Sequence, residues 1–273
     1  MSTPIPKAKG LPIVGLLPDF VSDPFSYVKK VASHGDMVDV SLGGLRIVYV
    51  FKPEYIEHIL LKNRSNYPKG KLMERTELVF GKGLVTAEGE AWKKQRKRMA
   101  ASFSPKYIDG FADDIARITG EFLDKVDGTH NVGNDCMTLT LSIVLELLFG
   151  SDQSEHFDVV GKAFDELADF FAASSEFFLQ LPLWVPTPRN QRFKRAHEIM
   201  DQTVQRIIDE RRQSSHHSPD LLSRILTESN DGTLLDEKII QDEIRTLMLA
   251  GHETTSLATV SYTHLTLPTI CSV

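Results

Sequence analysis

The sequence predicts a mainly α fold with a small β-hairpin, and three observations carry that prediction. Apolar residues recur at the 3.6-residue spacing of a buried helix, most clearly at Leu235, Ile239, Ile240, Ile244, Leu247, Met248, Leu257 and Ala258. One stretch, Met37–Phe51, instead alternates with the two-residue period of a strand and turns at Gly43-Gly44. The 273 residues are 41% hydrophobic and 25% charged, a balance that suits one large core or two domains and excludes a disordered chain.

Taken in order, Pro4 to Pro18 is a proline- and glycine-rich extended lead-in. Asp23-Pro24 is an N-cap followed by proline at the first helical position, and Gly35 stops that helix. In the hairpin, Val38, Val40, Ile47 and Val50 are the candidate buried positions. Pro53 opens a short helix to about Leu61, and Asn63–Glu88, with Pro68, Gly70, Gly81 and Gly83, reads as irregular. A basic helix starts at Gly89, and Ser104-Pro105 caps another that runs to about Val126. Asp135–Phe149 is an apolar helix ended by Gly150, with Cys136 as a small buried side chain. Phe157–Leu179 is a phenylalanine-rich helix carrying Phe164, Phe170, Phe171, Phe177 and Phe178. The apolar, proline-broken Leu181–Pro186 connects it to a charged helix, Arg189–Arg212. Gln213–Ser218 is a polar linker, Ser218-Pro219 starts a short helix, and Asp236 begins the longest one. From Ser261 the helical period is lost and Pro268 enters, so the helix is expected to end near Val260 and 261–273 to be a non-native tail from a frameshift or cloning junction.

The formal net charge of −6 argues against nucleic acid as a partner. Two cysteines, Cys136 and Cys271, make no disulfide framework and point to a reducing compartment. No run approaches the roughly 18 apolar residues of a membrane helix, and the first residues hold too much proline and glycine for a secretory signal. The expected location is therefore cytoplasmic, with no transmembrane anchor.

Two stretches break the rules of their own helices. Within the long apolar stripe, Ala250 and Gly251 remove side-chain bulk, and His252, Glu253, Thr254 and Thr255 add polar atoms. A glycine inside a helix costs about 1 kcal/mol relative to alanine, so something flat or bulky is expected to lie against Ala250–Gly251. The Thr254 hydroxyl can bond back to the Ala250 carbonyl, and an acid beside a hydroxyl there could relay protons. In the basic helix, Trp92 and Arg96 stand one turn apart on one face. Indole and guanidinium both donate hydrogen bonds and accept none, which suits a carboxylate-bearing partner.

Together these stretches resemble the cytochrome P450 family. Its I-helix pattern (Ala or Gly, Gly, any residue, Asp or Glu, Thr, Thr or Ser) is matched by Ala250-Gly251-His252-Glu253-Thr254-Thr255. Its C-helix pattern of Trp and Arg four residues apart is matched by Trp92 and Arg96, in the right order and with the right elements between. The resemblance covers Pro4 to Val260 and implies the N-terminal portion of a P450 domain, residues 1–260, with helices A to I and the first hairpin: a truncated cytochrome P450 fold. It implies haem b as cofactor, dioxygen, an electron-donor protein (ferredoxin, flavodoxin or reductase) and a lipophilic small-molecule substrate that receives one oxygen atom.

Residue by residue, the resemblance puts Trp92 and Arg96 on the haem propionates and Ala250 and Gly251 against the porphyrin. It makes Glu253 and Thr254 the catalytic acid–alcohol pair, gives Thr255 a structural place and His252 no catalytic role. The segment before the C helix would fold over the substrate pocket, with Phe80, Leu84 and Val85 lining it or else serving as core residues of a long loop. Leu181–Pro186 would be the lid over the substrate entrance, and Lys93, Lys94, Arg96, Lys97 and Arg98 would border the face that docks the redox partner. Three family elements are absent from these residues: the E-x-x-R of the K helix, an arginine-bearing loop after it, and the F-x-x-G-x-x-x-C-x-G ligand loop. The residues before Cys271 lack the Phe and the Gly, and Cys136 sits on the wrong element, so no metal ligand is expected here. The parent would be a haem-thiolate monooxygenase, and the chain as written is expected to be inactive.

Two readings lie outside the family. A zinc hydrolase on His252-Glu253 needs a second histidine four residues after the first, where the sequence has Ser256. The alternative is a non-enzymatic helical module that binds lipophilic ligands or a partner. Its basic face lacks the aromatic interleaving that nucleic acid would call for.

Overall fold

The computed structural model describes residues 4–70, 72–150, 157–174, 181–213, 221–227 and 235–270. The described residues form helices and one two-stranded antiparallel sheet, as the sequence predicts, and fall into two units, 4–69 and 70–174 with 181–270.

The first unit runs α1 (Leu17–Ser22), α2 (Pro24–Ala32), β1 (Met37–Leu42), β2 (Leu45–Val50) and α3 (Pro53–Glu57), which continues as a π-turn, His58–Lys62. Asp23 caps α2: its carboxylate accepts from the Phe25 and Ser26 amides at 3.1 and 3.0 Å. Gly43 and Gly44, at φ 53° and 88°, close the hairpin between the paired Leu42 and Leu45, the turn the dipeptide predicts. Val38 and Val40 are fully buried, with Tyr27, Val31, Leu16 and Leu42 around them. Val38 faces Tyr49 and Val40 faces Ile47, so these four share one side of the ribbon. Val50 pairs with Met37 and lies on the other side, half-buried, which corrects its place among the inward residues. Side chains alternate along a strand, so residues 47 and 50 cannot share a face without a bulge.

The second unit holds α4 (Leu72–Phe80), α5 (Gly89–Ala100), α6 (Pro105–Asp109), α7 (Ala112–Leu123), α8 (Val132–Phe149), α9 (Phe157–Ser174), α10 (Pro188–Gln213), α11 (Leu221–Leu226) and α12 (Glu237–Ile270). Its core joins Leu141, Leu145 and Phe149 of α8, Phe164, Leu167 and Phe170 of α9, Met200, Val204 and Ile208 of α10, and Ile240, Ile244 and Met248 of α12. Phe177 and Phe178, and most of the expected linker after Gln213, lie outside the described residues.

Several expectations are corrected here. The segment expected to be irregular contains α4, whose Val79 is buried and whose Phe80 packs on the core; it is framed by glycines that hide so short a helix. The single helix expected from Pro105 to Val126 is two, α6 and α7, broken at Gly110, the weakest helix former available after proline. The Tyr107 and Phe111 rings pack edge-on across that break at 5.0 Å. α8 is, by length and composition alone, apolar enough to cross a bilayer, although Asn134, Asp135 and Glu146 interrupt it and it is no unbroken apolar run. In the structure its apolar face packs on α12 and α9. Gly150, at φ 57°, ends α8 as predicted. α12 continues to Ile270, past its expected end near Val260. Beyond Ser256 the helix runs out of the core, with Leu257, Tyr262 and Leu265 exposed, so the vanished period marks lost burial rather than lost helix.

Candidate functional site

The middle of α12 has two faces. Ile244, Met248, His252 and Ser256 are buried, at spacings of four residues. The His252 ring lies 4.7 Å from that of Phe164 on α9, and its carbonyl accepts from the Thr140 hydroxyl of α8 at 3.1 Å. Burial pushes the His252 imidazole down to about 4, so it is neutral at neutral pH. The other face carries Ala250, Thr254, Leu257 and Ala258, all exposed, a strip poor in side-chain bulk. On it the Thr254 hydroxyl donates to the Ala250 carbonyl at 2.6 Å, the back-bond that their spacing predicts. Glu253 stands beside them, half-buried.

Gly251 lies close to α8. A Cβ there would stand 3.0 Å from Val144 Cγ2, so the missing side chain is accounted for by the close approach of α8. Of the two small residues, Ala250 is the one that opens outward.

On α5, Gln95 and Met99 form the buried face. Trp92 is half-buried and Arg96 exposed, with the guanidinium over the indole ring at 5.3 Å. The i, i+4 spacing thus brings the two donors together as expected.

The pocket candidates separate. Phe80 and Leu84 pack on the core, and Phe80 meets Phe171 edge-on at 5.9 Å; Val85 is 39% exposed. Phe80–Leu84 lies flush on α12. The Lys82 amide donates to Asp242 at 2.8 Å and the Leu84 amide to Glu243 at 2.9 Å, while the Phe80 carbonyl accepts from the Thr246 hydroxyl at 3.2 Å. Gln95 adds a bond to the Lys82 carbonyl at 3.2 Å, which ties α5 to the same segment. The approach needs glycine twice: a Cβ on Gly81 would fall 2.1 Å from the Asp242 carboxyl carbon, and one on Gly83 2.3 Å from Thr246 Oγ. Burial pushes the Glu243 carboxyl up to about 7, against the lowering effect of the Leu84 amide.

Asp242, Glu243 and Thr246 were not among the site residues expected from sequence. The available signal was two adjacent acids inside an apolar stripe, flanked by Ile240 and Ile244. Arg245, only 1% exposed, forms ion pairs with Asp201 of α10 and, at 3.3 Å, with Asp242. Lys238 reaches Asp242 at 3.4 Å, and His197 reaches Asp201 at 3.2 Å. His197, Lys238, Asp242 and Arg245 border a cleft of about 380 Å³ that Gly81, Leu183, Phe193 and Lys194 also line. On the connection between α9 and α10, Leu181 and Trp184 are exposed and Leu183 packs on the core.

The cytochrome P450 family model matches residues 5–266. Cyclooctat-9-en-7-ol 5-monooxygenase of Streptomyces melanosporofaciens is 27% identical over 262 residues, 93% of this chain and 56% of the relative. Pentalenene oxygenase of Streptomyces avermitilis is 27% identical over 249 residues, 89% of this chain and 55% of the relative. The chain therefore spans about half the length of the curated relatives it matches. The structure of retinoic acid bound cyanobacterial CYP120A1 superposes with a TM-score of 0.77 at 22% identity, over 97% of this chain and 60% of the other, and shares its fold.

Proposed function

The chain belongs to the cytochrome P450 family, and from that premise we propose that it builds the oxygen-binding side of a haem monooxygenase acting on a lipophilic substrate. The observation that carries the reading is the exposed strip of α12, where the Thr254 hydroxyl is bonded to the Ala250 carbonyl between small side chains. The residues present fit the cofactor: the strip around Ala250 offers small side chains, and α5 offers an indole stacked with a guanidinium, groups that donate hydrogen bonds and accept none. When bound, haem b would supply the iron at which dioxygen is activated for insertion of one oxygen atom into the substrate.

The protein's own groups divide the remaining work. Trp92 and Arg96 would hold the two propionates by charge-assisted hydrogen bonds. Ala250 would lie against the ring plane. With its proton committed to Ala250, the Thr254 hydroxyl keeps its lone pairs outward, ready to accept from and hold a water. Glu253, next in the chain, would deliver a proton to that position. Phe80 and Leu84 would supply the apolar wall of the substrate site, and exposed Leu181 and Trp184 its entrance. The names of the relatives, a cyclooctat-9-en-7-ol monooxygenase and a pentalenene oxygenase, favour a hydrocarbon-rich substrate. Lys93, Lys94 and Lys97, exposed on α5, suit an acidic electron-donor protein. These 273 residues alone would not turn substrate over, since neither Cys136 nor Cys271 stands in a ligand-loop pattern.

Haem titration of the chain tests the assignment, followed by indole fluorescence in a Trp184→Phe background so that Trp92 reports. Haem is expected to quench Trp92, and Arg96→Ala to weaken the apparent affinity by about 10-fold, as for loss of a charged hydrogen bond. Affinity indifferent to Arg96 would remove the propionate assignment. Carbon monoxide added to the reduced sample should give no thiolate-type absorption shift, and such a shift would overturn the expected inactivity.

A further inference from the structure

We propose that Glu243 is a positioning residue, a buried carboxyl of α12 that fixes the Phe80–Val85 segment through the Leu84 amide. Glu243 is 1% exposed and sits among Ile240, Ile244 and Leu247 on the core helix. No ion pair within 4 Å reaches it among the described residues, although the Arg98 guanidinium of α5 favours its charged form and Asp242 disfavours it, and its Oε1 has no hydrogen-bond partner there. The neighbouring Asp242 has other reasons to be buried, since it balances Arg245 and Lys238. Among the described residues the Glu243 carboxylate accepts one hydrogen bond, from the Leu84 amide at 2.9 Å, 159 residues away in sequence. An apolar side chain would fill the same space without desolvating a carboxyl, so the acceptor itself is what the position requires.

The surrounding geometry agrees. Phe80, Lys82 and Leu84, from the end of α4 and the turns that follow it, each present a backbone group to α12. Thr246, Asp242 and Glu243 receive them within about one helical turn. Gly81 and Gly83 bring the backbone into contact with that turn. About three turns further on, the same helix carries Glu253 and Thr254. The inference rests on the reading of Phe80 and Leu84 as pocket wall: α12 then sets both that wall and the proton-delivering pair, in fixed relation.

Backbone hydrogen exchange on the full chain, resolved at Leu84, tests the proposal. Glu243→Met keeps the volume and removes the acceptor; it is expected to speed Leu84 exchange by about 10-fold or more. Glu243→Gln restores an acceptor and should keep exchange within about 3-fold of the parent, with Leu145 in α8 unchanged in both. If Glu243→Met does not fold, Gly83→Ala lifts the segment from Thr246 without touching Glu243 and should expose the same amide. Unchanged Leu84 protection in Glu243→Met or Gly83→Ala overturns the proposal, as does equal exchange in the Gln and Met variants. The exchange is read without haem or substrate, so failure of haem uptake would count against the functional reading and leave the Glu243 result standing.

Discussion

Glu243→Gln should remove a pH dependence that the buried Glu243 carboxyl imposes on stability. In the folded chain the Glu243 carboxyl is pushed from its ordinary 4.5 up to about 7, chiefly by burial. An acid whose folded value is raised contributes fully below the unfolded value, and that contribution is lost as pH rises through the folded one. Each pH unit is worth about 1.4 kcal/mol, so wild type should lose about 3 kcal/mol relative to the Gln variant between pH 4.5 and 7. Above pH 7 the difference should be flat. His197 and His252, both pushed down to about 4 by burial, act in the opposite direction. They are present in both proteins and cancel in the difference. Urea unfolding of the two proteins at pH 5, 6, 7 and 8 measures it. A stability difference that does not change with pH would refute the reasoning, because Glu243 would then be no more buried when folded than when unfolded.

Gly251→Ala should destabilise by about 1 kcal/mol, since crowding against Val144 outweighs the helix-propensity gain; in a Val144→Ala background the same change should stabilise, read by a double-mutant cycle of urea unfolding. Thr254→Val should leave stability within about 0.5 kcal/mol, because the hydroxyl is exposed; a loss above about 1 kcal/mol by thermal unfolding would make it a structural group. His252→Phe should flatten the acid side of the stability curve. A buried imidazole held near 4 contributes above its unfolded value of 6.5 and loses about 3 kcal/mol as pH falls to 4, which unfolding at pH 4.5 and 7 would detect.

What the sequence made legible were local relations. Asp23 with Pro24, the paired glycines of the hairpin, Trp92 with Arg96, and Thr254 with Ala250 are all separated by four residues or fewer, and their geometry follows from helix or turn repeats. Val50 was misplaced because the hairpin register, not hydrophobicity, decides which face a strand residue takes. The far end of α12 was missed because periodicity detects a buried stripe, and that end has none. Asp242, Glu243 and Thr246 were visible as polar intrusions, but their partners at 80, 82 and 84 are about 160 residues away, beyond any rule of spacing. At Gly251 the sequence shows a missing side chain but not the neighbour it makes room for on one side, Val144 of α8.

That contact between Gly251 and Val144 works as an angular stop. Successive side chains leave a helix about 100° apart, so Glu253, Thr254 and Thr255 point in three different directions. With α8 close against residue 251 and Met248, His252 and Ser256 buried, this face of the rod is fixed, and the hydroxyl at 254 is the one held in line with Ala250. A bulkier residue at 251 would press on Val144 and shift that hydroxyl from its line, changing the placing of the group on offer without altering a single atom of it.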